Sequence, residues 1–283
     1  MMTNRRSFLR RASLLGLAAA PVPAMAQRLP KPPFIQAKAC VVVDAVTGET
    51  LFEKNADERR PVASTQKLLS ALVAVETTDM NKVTSVEEEE TKVEPHKLFL
   101  KVDERLPLRT LLHAMLIESC NDCAHCMARS CAGTTSAFSQ WMNRRAAQLG
   151  MRNSHFVNAS GLPAEGQYST ARDMARLARV AFANATLRSI FGRSEIVITR
   201  GDGRTKKLQT TNILLRPKSS YYLPQCTGMK TGFTNASGKC LISSATLRGR
   251  SVICVMLGST TSKGLIWKES RALLQWALGI STR

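Results

Sequence analysis

The order of predicted elements places this chain in the α/β class, of the α+β kind. Three patterns carry that reading. A strand–turn–strand unit opens the fold, amphipathic helices fill the middle, and three strands with a closing helix end it. Residues 39–44 (Ala-Cys-Val-Val-Val-Asp) are apolar and β-branched, residues 44–48 have turn chemistry, and residues 50–53 return as a strand. A helix should begin near Ser64, because Leu68, Leu69, Leu72 and Val73 recur at helical spacing. Residues 108–117 follow Pro107 as an amphipathic helix, and further helices are expected over 135–149 and 171–186. Between these two, residues 153–162 read as an irregular loop. The acidic run 87–90 reads as a solvated face or loop, since like charges repel and stay wet.

Strands are expected over 226–233, 239–246 and 252–257, with residues 247–250 (Leu-Arg-Gly-Arg) turning the last pair. Residues 263–279 read as a helix bearing Trp267, Leu273, Leu274 and Trp276. Its apolar stripe is expected to pack on the sheet rather than on a membrane.

The 283 residues suffice for one large domain or two modest ones. A hydrophobic fraction of 44% and a charged fraction of 22% exclude a disordered chain or a coiled coil. The N-terminus reads as a secretory signal. Arg5-Arg6-Ser7-Phe8-Leu9 is followed by an apolar stretch and then by Ala24-Met25-Ala26. The paired arginines point to the twin-arginine type, with cleavage after residue 26. The proline-rich segment 27–36 reads as a linker. The signal carries four arginines and no acid, so the net charge of +19 falls to +15 once it is removed. Such a basic chain favours polyanions. Aromatics are only 5% and no Lys/Arg run interleaves with them, which sets nucleic acid aside. Anionic envelope polymers or a peripheral membrane surface fit an exported protein better.

Three short motifs carry chemistry. In Ser64-Thr-Gln-Lys67 the serine and lysine lie three residues apart, one face of a helix, so the amine can reach the hydroxyl. A partly buried lysine near other cations loses basicity and can serve as a base. Ser119-Cys-Asn121 falls on an interhelical loop, where a hydroxyl can relay a proton and an amide can hold a carbonyl. Lys230-Thr231-Gly232 falls on a predicted strand. It offers a cation, a hydroxyl for a carboxylate and a close approach for a ligand backbone. Each motif alone is commonplace. Together, in this order and on these elements, they are specific.

The trio resembles that of the low-molecular-mass penicillin-binding proteins, the serine D-alanyl-D-alanine carboxypeptidases of peptidase family S11. The likeness extends over most of 37–280: to Pro61-Val-Ala-Ser64, to the helix before Ser119-Cys-Asn-Asp122, to residues 153–162 and 168–173, and to Lys230-Thr-Gly-Phe-Thr234 with Gly238. The resemblance implies a β-lactamase/transpeptidase-like fold, an antiparallel sheet flanked by helices plus an all-helical subdomain. It makes 37–283 the catalytic domain, without the C-terminal β domain many relatives carry. It implies Ser64 as nucleophile, Lys67 as base and Ser119 as proton relay. Asn121, Lys230, Thr231, Gly232 and Phe233 would bind substrate, with the N–H groups of Ser64 and Phe233 as the oxyanion hole. The implied reaction removes the terminal D-alanine of peptidoglycan stem peptides, with no cofactor or metal. β-Lactams would acylate the same serine, and D-alanyl crosslink cleavage is the alternative. Two residues depart from the family pattern: Cys120 stands for a usual glycine and Gln66 for a usual threonine. Class A β-lactamases share the trio, but their Glu-x-x-Leu-Asn segment does not occur here.

A rival from another class rests on Cys120, Cys123, Cys126 and Cys131. Their spacing is close to that of an iron–sulfur or zinc ligand set. Small thiols packed beneath a helix are the preferred reading. Cys240 is expected opposite Thr231, with Cys226 and Cys254 too far out of register for a 226–240 or 240–254 disulfide.

Overall fold

The computed structural model describes residues 29–260, 262 and 264–280. The signal expected over 1–26 therefore lies outside the described residues. Strand β1 (Ala39–Asp44) turns back as β2 (Thr50–Lys54). Asp44 Oδ1 closes that turn by accepting the N–H groups of Val46 and Thr47, each at 2.9 Å. A 3-10 turn (Ala63–Gln66) leads into α1 (Lys67–Thr77). Then come β3 (Val83–Ser85), α2 (Glu88–Thr91), β4 (Arg105–Pro107), α3 (Leu108–Ile117), α4 (Asn121–Ala132) and α5 (Thr135–Gln148). Helices α6 (Ala171–Ala183) and α7 (Ala185–Phe191) precede the hairpin of β5 (Glu195–Thr199) and β6 (Thr205–Gln209). The chain ends on β7 (Cys226–Thr234), β8 (Gly238–Leu247), β9 (Arg250–Ser259) and α8 (Leu265–Ala277).

Five strands make one antiparallel sheet in the order β2-β1-β9-β8-β7. The opening hairpin thus pairs with the last strand, and β7 is an edge. Alternate side chains leave a strand on opposite faces, and here both faces are buried. Val41, Val43, Ile253 and Val255 join the core shared with the helices α1 and α3 to α6. Cys40, Val42, Val252 and Cys254 face α8, with Leu273 and Leu274. This two-sided burial is why β1 and β9 read as nearly continuous apolar runs. Helix α8 packs on the sheet, as its stripe implies, and among the described residues no helix is long and apolar enough to cross a membrane. The stretch expected to be a linker lies along α8 from Pro30 onward. Trp276 Nε1 donates to the Pro30 carbonyl at 2.7 Å, and Ile35 is buried.

Several boundaries differ from expectation. Ser64 sits on the 3-10 turn, one turn ahead of the α-helix. The helix expected over 171–186 breaks at Asn184, whose side chain caps α7 by accepting the Leu187 N–H at 3.0 Å. The acidic run is not uniformly wet. Glu90 is 4% exposed, accepts the Glu87 N–H at 2.8 Å and takes Arg129 Nε of α4 at 2.5 Å. Cys240 lies opposite Gly232 rather than Thr231, because Gly238 pairs with Thr234. Cys226 faces Ala245 and Cys254 faces Ser243.

The four clustered cysteines do not form a ligand set, which overturns the iron–sulfur or zinc reading. Cys120 and Cys123 are neighbours, but Cys126 lies against Glu90 and Arg129, and Cys131 against Thr78 and Lys82. Helical rotation turns the thiols to different surroundings. Asp122, the one other ligand atom near Cys120 and Cys123, already accepts three N–H groups: Leu98 at 3.0 Å, Leu100 at 3.2 Å and Cys123 at 2.8 Å.

The first two bonds tie the 95–101 segment to α4 through a carboxylate with no exposed surface, and the third lies within α4. Asp122→Ala leaves three buried donors unsatisfied. It should cost roughly 3 kcal/mol or more of unfolding free energy, read as a lower urea midpoint at unchanged slope.

Candidate active site

The expected site residues meet where the helical body touches the open edge of β7. On the 3-10 turn, residues three apart eclipse one another, which brings Lys67 to Ser64. Lys67 Nζ lies 2.8 Å from Ser64 Oγ and donates to Asn121 Oδ1 at 2.6 Å and to the Ser160 carbonyl at 2.6 Å. Ser64 is half-buried, whereas Lys67 has no exposed surface. Ser119 occupies the joint between α3 and α4 at φ 68°, and Lys230 Nζ reaches its Oγ at 2.8 Å. Lys230 also donates to the Thr231 carbonyl at 2.9 Å.

Ser64, Ser119, Thr231, Gly232 and Phe233 line a cleft of about 220 Å³. Lys67, Asn121 and Lys230 lie behind it. Asn121 opens α4, is 3% exposed and is turned towards Lys67 and the Pro95 carbonyl, to which its Nδ2 donates. The two residues that depart from the family pattern also sit behind the cleft. Cys120 packs in the core against Cys123. Gln66 is buried, and its Nε2 donates to the Asn158 carbonyl at 2.6 Å.

Gly232 is needed for a reason specific to this chain. A Cβ there would fall 2.9 Å from Ser64 N and 3.0 Å from Thr65 N, so the close neighbour is the serine turn itself. Gly161 plays the same part opposite: at φ +86°, a Cβ would lie 2.2 Å from the Ala63 carbonyl oxygen. The turn bearing Ser64 is wedged between two glycines.

Four contributing residues were not foreseen. Thr211, after β6, bonds Thr231 through their Oγ1 atoms at 2.6 Å. His96 lines the cleft and its carbonyl accepts the Asn121 N–H at 2.8 Å. Asn158 Oδ1 accepts the Ser160 and Gly161 N–H groups at 3.1 and 2.8 Å and shapes the loop that offers Ser160 to Lys67. Two of these roles use backbone carbonyls, which no side-chain motif marks. The Asn158-Ala-Ser-Gly161 string, with its Asx-turn chemistry, was the available signal.

Burial pushes the Lys67 amine well below the usual lysine range, and the Lys230 charge adds to that. Burial lowers Lys230 to about 7. A neutral Lys67 has two N–H donors and one lone pair. Asn121 Oδ1 and the Ser160 carbonyl take the donors, which leaves the lone pair facing Ser64 Oγ. The arrangement can therefore withdraw a proton from Ser64 without a histidine or a metal.

An antiparallel sheet with helices on both faces, a Ser–Lys pair on the first helix of the helical body, and a Lys-Thr-Gly edge strand define the β-lactamase/transpeptidase-like class. Comparison with known proteins narrows this. Residues 26–261 match the peptidase S11 family, described as D-alanyl-D-alanine carboxypeptidase, and the chain belongs to that family. It is 32% identical to D-alanyl-D-alanine carboxypeptidase DacD of Salmonella typhimurium over 98% of this chain and 72% of the relative. It is 30% identical to DacF of Bacillus subtilis over 81% of this chain, and there it spans 59% of the relative's length. Its fold resembles the D-alanyl-D-alanine carboxypeptidase of Mycobacterium tuberculosis, with TM-score 0.81 and 28% identity over 92% and 97% of the two chains. A variant of the Streptomyces K15 DD-transpeptidase gives TM-score 0.80 at 26% identity over 87% and 99%.

Two outcomes follow. Gly232→Ala should keep the fold by circular dichroism but slow acylation of the serine by a fluorescent penicillin at least about ten-fold, because the turn must shift. The second concerns stability. Below about pH 7 Lys230 is charged in both folded and unfolded chains, and the folded chain bears the desolvation cost. Between about 7 and the ordinary value of 10.5 only the unfolded chain keeps the proton, so stability rises with pH there. Lys230→Met should therefore exceed the parent in stability most at pH 6, with the gap shrinking by pH 9 in denaturant titrations.

Proposed function

We propose that this protein is a serine-type D-alanyl-D-alanine carboxypeptidase that removes the terminal D-alanine of peptidoglycan stem peptides through an acyl-enzyme on Ser64. The observation that carries the reading is the three-way clamp on Lys67, which turns its lone pair to Ser64. Ser64 Oγ attacks the carbonyl between the two D-alanines, and Lys67 takes its proton. The N–H groups of Ser64 and Phe233 receive the oxyanion. Ser119, with Lys230 behind it, hands a proton to the leaving amine. Thr231 and the Lys230 charge receive the terminal carboxylate, with Thr211 bracing the Thr231 hydroxyl. Asn121 orients Lys67 and the substrate amide. Water then cleaves the ester and restores Ser64.

The strained ring of a β-lactam presents the same acyl centre, so these antibiotics acylate Ser64 as well. Peptidoglycan lies outside the cytoplasmic membrane, which fits export by the twin-arginine signal over 1–26 and action in the periplasm or cell envelope. The basic surface suits anionic polymers or lipid headgroups there.

The test is incubation of the protein with a stem pentapeptide and with a crosslinked muropeptide, Ser64→Ala serving as control. Free D-alanine from the pentapeptide alone is the expected result. Cleavage of the crosslinked substrate reassigns the protein as a D-alanyl endopeptidase. A folded protein that releases nothing and takes no fluorescent penicillin refutes the proposal.

A further inference from the structure

His125 is a buried titratable group close to the site with no part in the mechanism above. It lies on α4 four residues beyond Asn121, so the two share a helix face. Its Nε2 is 3.2 Å from Ser160 Oγ. Ser160 Oγ also lies 3.1 Å from Asn158 Oδ1, which already accepts the Ser160 and Gly161 N–H groups. A hydrogen bond therefore joins His125 Nε2 to Ser160 Oγ, and either atom can be its donor. The carbonyl of the same Ser160 receives Lys67 Nζ at 2.6 Å.

We propose that His125 is a positioning residue for the Lys67 amine, acting through Ser160. Helix α4 then holds the base at two points. Asn121, in its first turn, binds Lys67 directly. His125, one turn on, holds the loop that binds Lys67 from the other side. Other ties of this loop run to the serine turn and α1: Gln66 Nε2 to the Asn158 carbonyl at 2.6 Å and Ser70 Oγ to the Ala159 carbonyl at 2.7 Å. Among the described residues, the bond from His125 is the only hydrogen bond between α4 and residues 158–161. It therefore ties together directly the two elements whose acceptors share Lys67. Burial also holds the imidazole below its usual range. It is thus a neutral ring near pH 7 and adds no charge of its own beside the base.

The inference rests on Lys67 acting as base towards Ser64. The test measures acylation of the full chain by a fluorescent penicillin, separating initial affinity from the acylation rate constant. His125→Leu should slow the rate constant about ten-fold at unchanged affinity, whereas His125→Gln, whose amide can reach the same oxygen, should stay within about two-fold of the parent. Ser160→Ala should be as slow as His125→Leu, and the double variant no slower than either. Parent-like acylation by His125→Leu overturns the proposal, and so does a His125→Gln as slow as His125→Leu. Should His125→Leu fail to fold in a thermal melt, Ser160→Ala decides alone, with parent-like acylation as the refuting result. A parent that takes no label at all refutes the role of Lys67 itself.

Discussion

A lysine side chain with no exposed surface sets the terms for the rest of this fold. Burying an amine is costly unless its hydrogens find acceptors. Lys67 takes its partners from its own turn, from a position 54 residues on and from one 93 residues on. The start of α1, the start of α4 and the 158–161 loop must therefore converge at one nitrogen. Lys230 approaches from the opposite side on β7, and Ser119 stands on that side of the cleft. Beside the apolar core they share, the helical body and the sheet also meet across two buried lysines and two serines.

Close approach is the second condition. The amine is useful only if Ser64 cannot drift, and backbone at Gly161 and Gly232 leaves the serine turn almost no room. The sheet supplies the rigidity behind this. β7 is held by β8 along its whole length, and both faces of the central strands are packed. Its other edge faces the turn. One strand thus serves as a structural rim and as a wall of the cleft.

Much of this was legible in the sequence, and unevenly so. Ser64, Lys67, Ser119, Lys230 and Thr231 carry their chemistry in side chains at telling spacings, and the structure gathers them in one place. Fold class followed from apolar runs long enough to reveal their period. Misreadings arose where a tertiary partner overrode a local pattern. Glu90 looked wet within its acidic run, yet Arg129 from a distant helix draws it inside. Asn184 looked like helix interior, yet it ends one helix and caps the next. Three-residue strands such as β3 are too short to show a period at all. Cysteine spacing suggested a metal set only because spacing says nothing about the direction of a thiol. The carbonyls of Ser160 and His96 are invisible to any motif, since every residue has one.

Ala63 and Ser119 both adopt left-handed backbone, at φ 47° and 68°. Such conformations cost side-chain-bearing residues on the order of 1–3 kcal/mol each. The two strained positions bracket the cleft, one beside the attacking serine and one at the second serine. Selection for heat resistance would act on them differently. Glycine at 63 sheds strain but also removes a buried methyl from the turn that bears Ser64, beside Gly232. Glycine at 119 sheds the same strain and deletes a hydroxyl from the cleft. The molecule therefore carries strain on both sides of its cleft, and neither position can shed it without altering the parts that hold or supply a reacting hydroxyl.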